Sequence, residues 1–231
     1  MARRPVFISN KNIIDVQEII IDFKWFPGMA KIQKQRSIDS LHENAGLQGI
    51  ENILEISSKS KNDLGIKLSA FNLSFVTKNN LKISVESAFQ GSKVFEYGGP
   101  YQDLLIKTSR EAKKDLRIRE SGNLISFKLL TQEFPIEPKT FFYDWLYINT
   151  LNQPENKDLA DEVMEYNAFT DIEFNPQKSI NCQAFSAALF VSLKSNGQLS
   201  IALSSQDSFM KIVQNIYRNK NKERAQQKTL L

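Results

Sequence analysis

Between Leu68 and Phe95 the chain reads LSAFNLSFVTKNNLKISVESAFQGSKVF, and its second half holds a carboxylate, an amide and an amine at Glu86, Gln90 and Lys93. On a helix these three occupy positions i, i+4 and i+7 and share one face, while Val85, Ala88, Phe89 and Phe95 point mostly elsewhere. The run from Glu86 to Lys93 is roughly 10 Å long at about 1.5 Å per residue, so two long side chains can converge on one ligand. Together they offer proton transfer, hydrogen bonding and either a fixed cation or an amine nucleophile. A polar stripe is also the ordinary solvated face of a surface helix. Spacing alone leaves both readings open.

Several elements must position these groups. Val16 to Phe26 is β-branched and aromatic and reads as a strand ended by Pro27-Gly28. Met29 to Asn44 has helical spacing, and Ile50 to Ser57 reads as a second strand. A polar loop, SSKSKNDLG, follows, then a short apolar segment and a turn at Asn79-Asn80. Ser84 is a fair N-cap for the helix carrying Glu86, and Gly98-Gly99-Pro100 breaks the chain after it. Thr108 to Asp115 looks like a short capped helix, with Thr108 or Ser109 as the cap. Leu124 to Leu130 reads as a strand. Helices are predicted over Lys139 to Leu151, Leu159 to Phe169 and Ser179 to Leu193, the last with small residues on one face. Thr170 to Lys178 is a loop or short strand. Phe209, Ile212, Val213, Ile216 and Tyr217 lie at helical spacing, and Arg218, Lys220, Lys222, Arg224 and Lys228 make a basic tail.

Composition narrows the function classes. With 231 residues and 41% hydrophobic content, a real core is affordable and disorder is disfavoured. No apolar run is long enough to span a membrane, and MARRPVFISNKN lacks the features of a secretion signal, so a cytoplasmic protein is expected. A single cysteine, Cys182, rules out an internal disulfide. A single histidine, His42, argues against a histidine zinc site and reads as structural. The net charge of +4 and pI of about 9.0 permit a nucleic-acid partner without demanding one.

The ordered segments LSAFNL and ESAFQGSK resemble the NADAR, or YbiA-like, family. Leu68, Ser69 and Phe71 match its first segment, with Ala70 in place of Asn; Glu86, Phe89, Gln90 and Lys93 match the second. Ser87 stands where the family usually has His, so no role of that ring carries over, and Gly91 stands for the usual Ala. The opening PVFI, FKWFPGMAKIQKQRSIDSLH, FYDWLYINTL and TDIEFNPQKSINCQA are similar to one subclass, the antitoxins paired with DarT-type toxins that attach ADP-ribose to guanine in DNA. The resemblance covers nearly the whole chain. It implies an α+β fold: a single helix-rich domain with a small sheet and an N-terminal extension. The implied division is 1–50 as that extension packed on the core, 51–205 as the catalytic core, and 206–231 as a C-terminal helix and basic tail.

The resemblance also implies an enzyme that removes ADP-ribose from the guanine amino group, with ADP-ribosylated DNA as substrate and ADP-ribose as product. A cognate DarT-type toxin is the further partner it suggests. No cofactor is called for, because the substrate supplies the nucleotide. The alternatives are an N-glycosidase of riboflavin-pathway intermediates and a non-catalytic module that binds ADP-ribose or DNA.

Breaking an N-glycoside requires charge stabilisation at the anomeric carbon and a proton for the leaving nitrogen. Glu86 is the first candidate for that carbon. Lys93 either pairs with a phosphate or forms a Schiff base with the sugar carbon, and Lys59 competes for the same role. Asp171 is the candidate second acid or base. Asn181 and Gln183 are expected at a helix start suited to a pyrophosphate. Ser69 and Asn72 can hydrogen-bond the sugar or adenine, Gln90 shares the Glu86 face, Phe71 can stack, and Tyr101 can clamp a base. Arg110, Lys113, Lys114 and Arg117 form a cluster that could track a DNA backbone, or else an ordinary solvated helix face.

Overall fold

The computed structural model describes residues 1–177 and 179–229. Lys178 and the side chains of Lys220, Lys222, Arg224 and Lys228 in the expected basic tail lie outside the described residues. The chain opens with β1 (Ala2–Ser9), β2 (Val16–Phe23), α1 (Lys31–Gly46), β3 (Ile53–Glu55) and α2 (Asp63–Lys67). Next come β4 (Ser74–Val76), β5 (Lys82–Ser84), α3 (Val85–Gly91) and β6 (Lys93–Phe95). Then follow α4 (Ser109–Lys114), α5 (Arg117–Glu120), β7 (Leu124–Leu129), β8 (Gln132–Phe134), α6 (Phe141–Leu151) and α7 (Lys157–Glu162). The last elements are β9 (Ala168–Thr170), α8 (Gln183–Ser195), α9 (Leu199–Ala202) and α10 (Gln206–Thr229). This is the mixed α+β, helix-rich fold expected.

The main sheet has the order β2-β1-β9-β3. β1 and β2 form a hairpin paired from Ala2↔Phe23 to Ser9↔Val16. At its loop, Asn10 Oδ1 accepts the Asn12 and Ile13 N–H groups at 2.9 and 3.1 Å, a turn that asparagine forms with its own side chain. β9 inserts between distant partners, antiparallel to β1 at Phe7↔Phe169 and parallel to β3 at Leu54↔Phe169. Side chains alternate across this sheet. Val6, Ile21, Phe23 and Ala168 meet Ile38, Leu41 and Ala45 of α1 on one face. Phe7 and Phe169 join the larger core with α6 and α8 on the other.

α8 is buried at every residue from Ala184 to Leu193. A helix that is apolar or small all round belongs in a core, and its alanines and serines let β1 and β9 approach closely. Ser192 Oγ donates to the Asn10 carbonyl at 2.8 Å and accepts the Asp15 N–H at 3.1 Å, tying the hairpin loop to α8.

Three sequence expectations change. The helix expected over Leu159 to Phe169 is α7, a 3-10 turn at Val163–Glu165, and then β9. The apolar residues Ala168 and Phe169 are satisfied by sheet pairing, which local periodicity does not reveal. The helix carrying Glu86 stops at Gly91, and Lys93 begins β6. α8 starts at Gln183, not Ser179, with no side-chain cap at Cys182. By contrast, Ser84 caps α3 by accepting the Ser87 N–H at 3.1 Å, and Thr108 with Glu111 forms the capping box of α4.

Candidate active site

A cavity of about 610 Å³ lies where α3, β6, α4, the Pro135–Pro138 loop, the turn after β9 and the start of α8 converge. α3 is held rigidly at its edge. The Glu86 N–H donates to the Ala70 carbonyl at 2.9 Å, Ser109 Oγ donates to the Phe71 carbonyl at 2.8 Å, and Ser87 Oγ donates to the Lys107 carbonyl at 2.9 Å. These bonds fasten α3 to the Phe71 turn and to α4, so the side chains of Glu86 and Gln90 are presented from a fixed frame.

Glu86, Gln90 and Lys93 do come together, though not on one helix. Lys93 Nζ donates to Gln90 Oε1 at 2.7 Å, and Gln90 Nε2 donates to Glu86 Oε1 at 2.9 Å. The amide thereby links the ammonium to the carboxylate. Lys113 Nζ approaches the same Glu86 oxygen at 3.7 Å. Each lysine also lies over a ring, Lys93 at 4.8 Å from the Phe89 centre and Lys113 at 5.0 Å from Phe71. Burial lowers the Lys93 pKa to about 8, with Lys113 pushing the same way and Glu86 opposing. About a tenth of Lys93 is therefore the free amine at pH 7, far more than for an ordinary lysine.

A second group of carboxylates stands around β9. Glu55 is buried within the apolar run of β3, where its oxygens accept the Ile172 N–H at 2.9 Å and the Thr170 hydroxyl at 2.7 Å. His42 Nε2 contacts the same hydroxyl at 2.8 Å, and burial lowers its pKa to about 4, so the ring is neutral. Asp171 follows β9, not a helix, and lines the cavity. Its Oδ1 accepts the Glu173 and Phe174 N–H groups at 2.9 and 3.1 Å. Burial raises the Asp171 carboxyl well above the ordinary range, and the nearby Glu55 charge raises it further. Glu55 is raised as well, by burial first. Removing ionised carboxylates from water without a paired cation favours their protonated forms.

Ser69, Phe71, Asn181 and Gln183 also line the cavity. Ser69 Oγ donates to the Ile66 carbonyl at 2.7 Å. Gln183 bridges two backbone segments: its Oε1 accepts the Ala70 N–H and its Nε2 donates to the Ile56 carbonyl, both at 2.7 Å. Asn181 Oδ1 is buried without a hydrogen-bond partner, which leaves an acceptor at the cavity for an incoming donor.

The other expected residues lie elsewhere. Lys59, Asn72 and Tyr101 are not among the cavity's lining residues. Asn72 Nδ2 donates to the Ile66 carbonyl and to Ser69 Oγ, stabilising the turn before β4. Tyr101 bonds Ser121 through its hydroxyl and lies under the Arg117 guanidinium at 4.5 Å. Of the basic cluster, Lys113 turns into the cavity, Arg117 is paired with both Asp103 and Asp115, and Arg110 and Lys114 are exposed.

Sequence reasoning missed Glu55, Tyr143, Glu137, Lys139, Glu173 and Phe174 near this cavity. Glu55 did leave a signal, a lone carboxylate between Leu54 and Ile56 in a strand. The others are brought in by tertiary packing alone.

Among the described residues, no group of three His, Cys, Asp or Glu side chains is arranged to hold a metal ion, and no helix is long and apolar enough to cross a membrane. No curated protein matches the chain significantly. The profile of one family, described as DarT1-associated NADAR antitoxin, matches residues 2–223. With nearly the whole chain matched and the Glu86–Gln90–Lys93 relay assembled at a cavity, the chain belongs to the DarT1-associated NADAR antitoxin family.

Proposed function

We propose that this antitoxin is an ADP-ribosyl glycohydrolase that removes ADP-ribose from the guanine amino group of DNA. The observation that carries the reading is the Lys93–Gln90–Glu86 relay at a cavity, with an amine whose pKa is lowered to about 8. An amine that is partly neutral near physiological pH is a nucleophile, whereas one kept for a phosphate is better left fully charged. The exposed Lys113 and Lys139, both at the cavity, suit the phosphate role instead.

The reaction then runs in balanced steps. The ribose ring opens at the anomeric carbon, the ring oxygen takes a proton, and an iminium forms to the guanine nitrogen. The Lys93 amine adds to that carbon. The guanine nitrogen accepts a proton and departs as the free amino group, leaving a lysine Schiff base. Water adds, and Lys93 is released with ADP-ribose. Glu86 stabilises positive charge at the carbon and accepts the lysine proton. Asp171, whose environment favours the protonated acid, delivers the proton to the leaving nitrogen. Two carboxyls held in unlike surroundings commonly divide such roles.

Incubation with DNA carrying ADP-ribosylated guanine should release ADP-ribose, and borohydride should trap a sugar adduct on Lys93. No release would sink the hydrolase reading. Release with an adduct that survives Lys93→Ala would move the nucleophile to another lysine.

A further inference from the structure

The connection from β2 to α1 carries charge that the cavity does not use. Lys24, Trp25 and Phe26 leave β2, and Lys31, Lys34 and Arg36 return on α1. Each ring holds two cations. The Arg4 guanidinium and Lys34 Nζ lie 5.6 and 4.4 Å from the Trp25 ring centre. Lys24 Nζ and the Arg36 guanidinium lie 5.2 and 4.2 Å from that of Phe26. Exposed cation–π contacts of this kind contribute about 0.5–1 kcal/mol, enough to orient the cations without neutralising them.

Among the described residues, none of Lys24, Lys31, Lys34 and Arg36 forms an ion pair with a carboxylate. α1 also has no acidic residue in its first turn, where the helix dipole favours one. Cations held together at that end repel one another and the dipole, a cost that a polyanion would relieve. Met29 and Ile32 project among them, 98% and 59% exposed. They are the apolar surface left over, because Ile38, Leu41 and Ala45 of α1 face the core. Two isolated side chains fall short of the continuous apolar face of a membrane-surface helix.

The patch is joined to the cavity. Trp25 packs on the cluster that contains Ile172, the neighbour of Asp171, and the Arg4 guanidinium lies close enough to Asp171 to be influenced by its carboxylate. We propose that Arg4 and the basic side chains of residues 24–36 hold the sugar–phosphate backbone of a single DNA strand, next to the cavity that takes its modified base. The identity of the strand rests on the glycohydrolase reading; the binding of a polyanion does not. Basic side chains interleaved with aromatic and apolar ones are what sequence-tolerant single-strand binding uses.

The test is a fluorescence-anisotropy titration of a short, unmodified single-stranded DNA oligonucleotide with the full chain at several salt concentrations. Reversing three exposed cations, Lys24→Glu with Lys31→Glu and Arg36→Glu, should weaken binding roughly tenfold or more. It should also reduce the slope of log affinity against log salt by about 2, at about 0.7 per cation on single strands. The neutral pair Lys31→Gln with Arg36→Gln should show the same trend at about two-thirds of the slope change, and serves if the triple variant fails to fold. On modified DNA the variants should show a raised KM, with turnover of an isolated ADP-ribosylated guanosine unchanged.

Unchanged affinity and slope in both variants would overturn the proposal. So would tighter wild-type binding to phosphatidylserine–phosphatidylcholine vesicles than to the oligonucleotide, abolished by the same reversals. If the wild type turns over neither substrate, the glycohydrolase reading fails while the oligonucleotide titration still decides this one.

Discussion

Glu86 and Asp171 line one cavity and are nearly equally buried, at 6% and 8% exposure, yet they sit in opposite electrical surroundings. Glu86 has Lys113 at 3.7 Å and reaches Lys93 through Gln90. Asp171 has Glu55 and Glu173 near it as well as the more distant Arg4 guanidinium, and its hydrogen-bond donors are the neutral N–H groups of its own turn. Two ammonium groups stand on the Glu86 side, one of them reached through Gln90. Burial and like charge on the other favour a carboxyl that holds a proton. The same functional group thus meets two different sets of neighbours, and burial alone would not have told them apart.

The sharpest way to break this contrast is Glu86→Gln. It keeps the hydrogen bonding but removes the charge, and kcat/KM for ADP-ribose release should fall roughly a thousandfold with the fold intact. Wild-type rates in that variant would remove Glu86 from the chemistry.

The next test asks whether the side of the cavity around β9 is uncharged, beginning with His42. Its pKa is lowered to about 4 in the folded state against 6.5 for the free side chain. Between those values the unfolded chain binds more protons, so stability rises with pH and is lost as pH falls from about 6.5 to 4. The full swing is about 3 kcal/mol. Denaturant unfolding of His42→Gln across that range should show a shallower dependence than the wild type by that amount. Equal slopes would mean that the ring is charged in the native state.

Asp171→Asn should cost roughly a hundredfold in kcat. The loss should be recovered on an ADP-ribose substrate whose leaving group needs no proton, a rescue that Glu86→Gln should not show. Failure of the rescue would make Asp171 a shaping residue of the turn.

The smallest effect concerns Lys113, which helps lower the Lys93 pKa. Rate should rise with pH as Lys93 loses its proton around 8, and Lys113→Met should move that ascending limb to higher pH. A limb that stays in place would uncouple the two lysines.

The Glu86 side was largely legible in the sequence because its groups are close in the chain. Ser84 marks the helix start, and four- and three-residue steps connect Glu86, Gln90 and Lys93. The inference survived even though the helix ends at Gly91, because β6 continues in a direction that still brings Lys93 to Gln90. The side around β9 was only partly legible. Asp171 was singled out, but Glu55, Thr170 and His42 come from three separate segments and meet only once β9 pairs with β3. Strands of three residues leave too short a pattern to read, so β9 was absorbed into a helix. β1 escaped notice because its charged opening, ARRP, hides the alternation of Val6, Phe7 and Ile8 between the two faces of the sheet. Lys113 was assigned to DNA on composition, and only the packing of α4 on α3 turns it toward Glu86.

The central position of β9 also fixes an order of events during synthesis. β1 and β2 leave the ribosome within the first 23 residues, but the strand that covers the open edge of β1 ends at Thr170. At about 5–20 residues per second, roughly seven to thirty seconds separate the two. Through that interval the hairpin keeps an unpaired edge, which templates pairing with other chains, and β3 has no partner in its sheet. Asp171 and α8 arrive later still, so the cavity is completed only after β9 has been made. A product cut short before β9 therefore lacks Asp171 and α8 and carries an open sheet edge. The antidote to a toxin is ready only well after its own synthesis has begun.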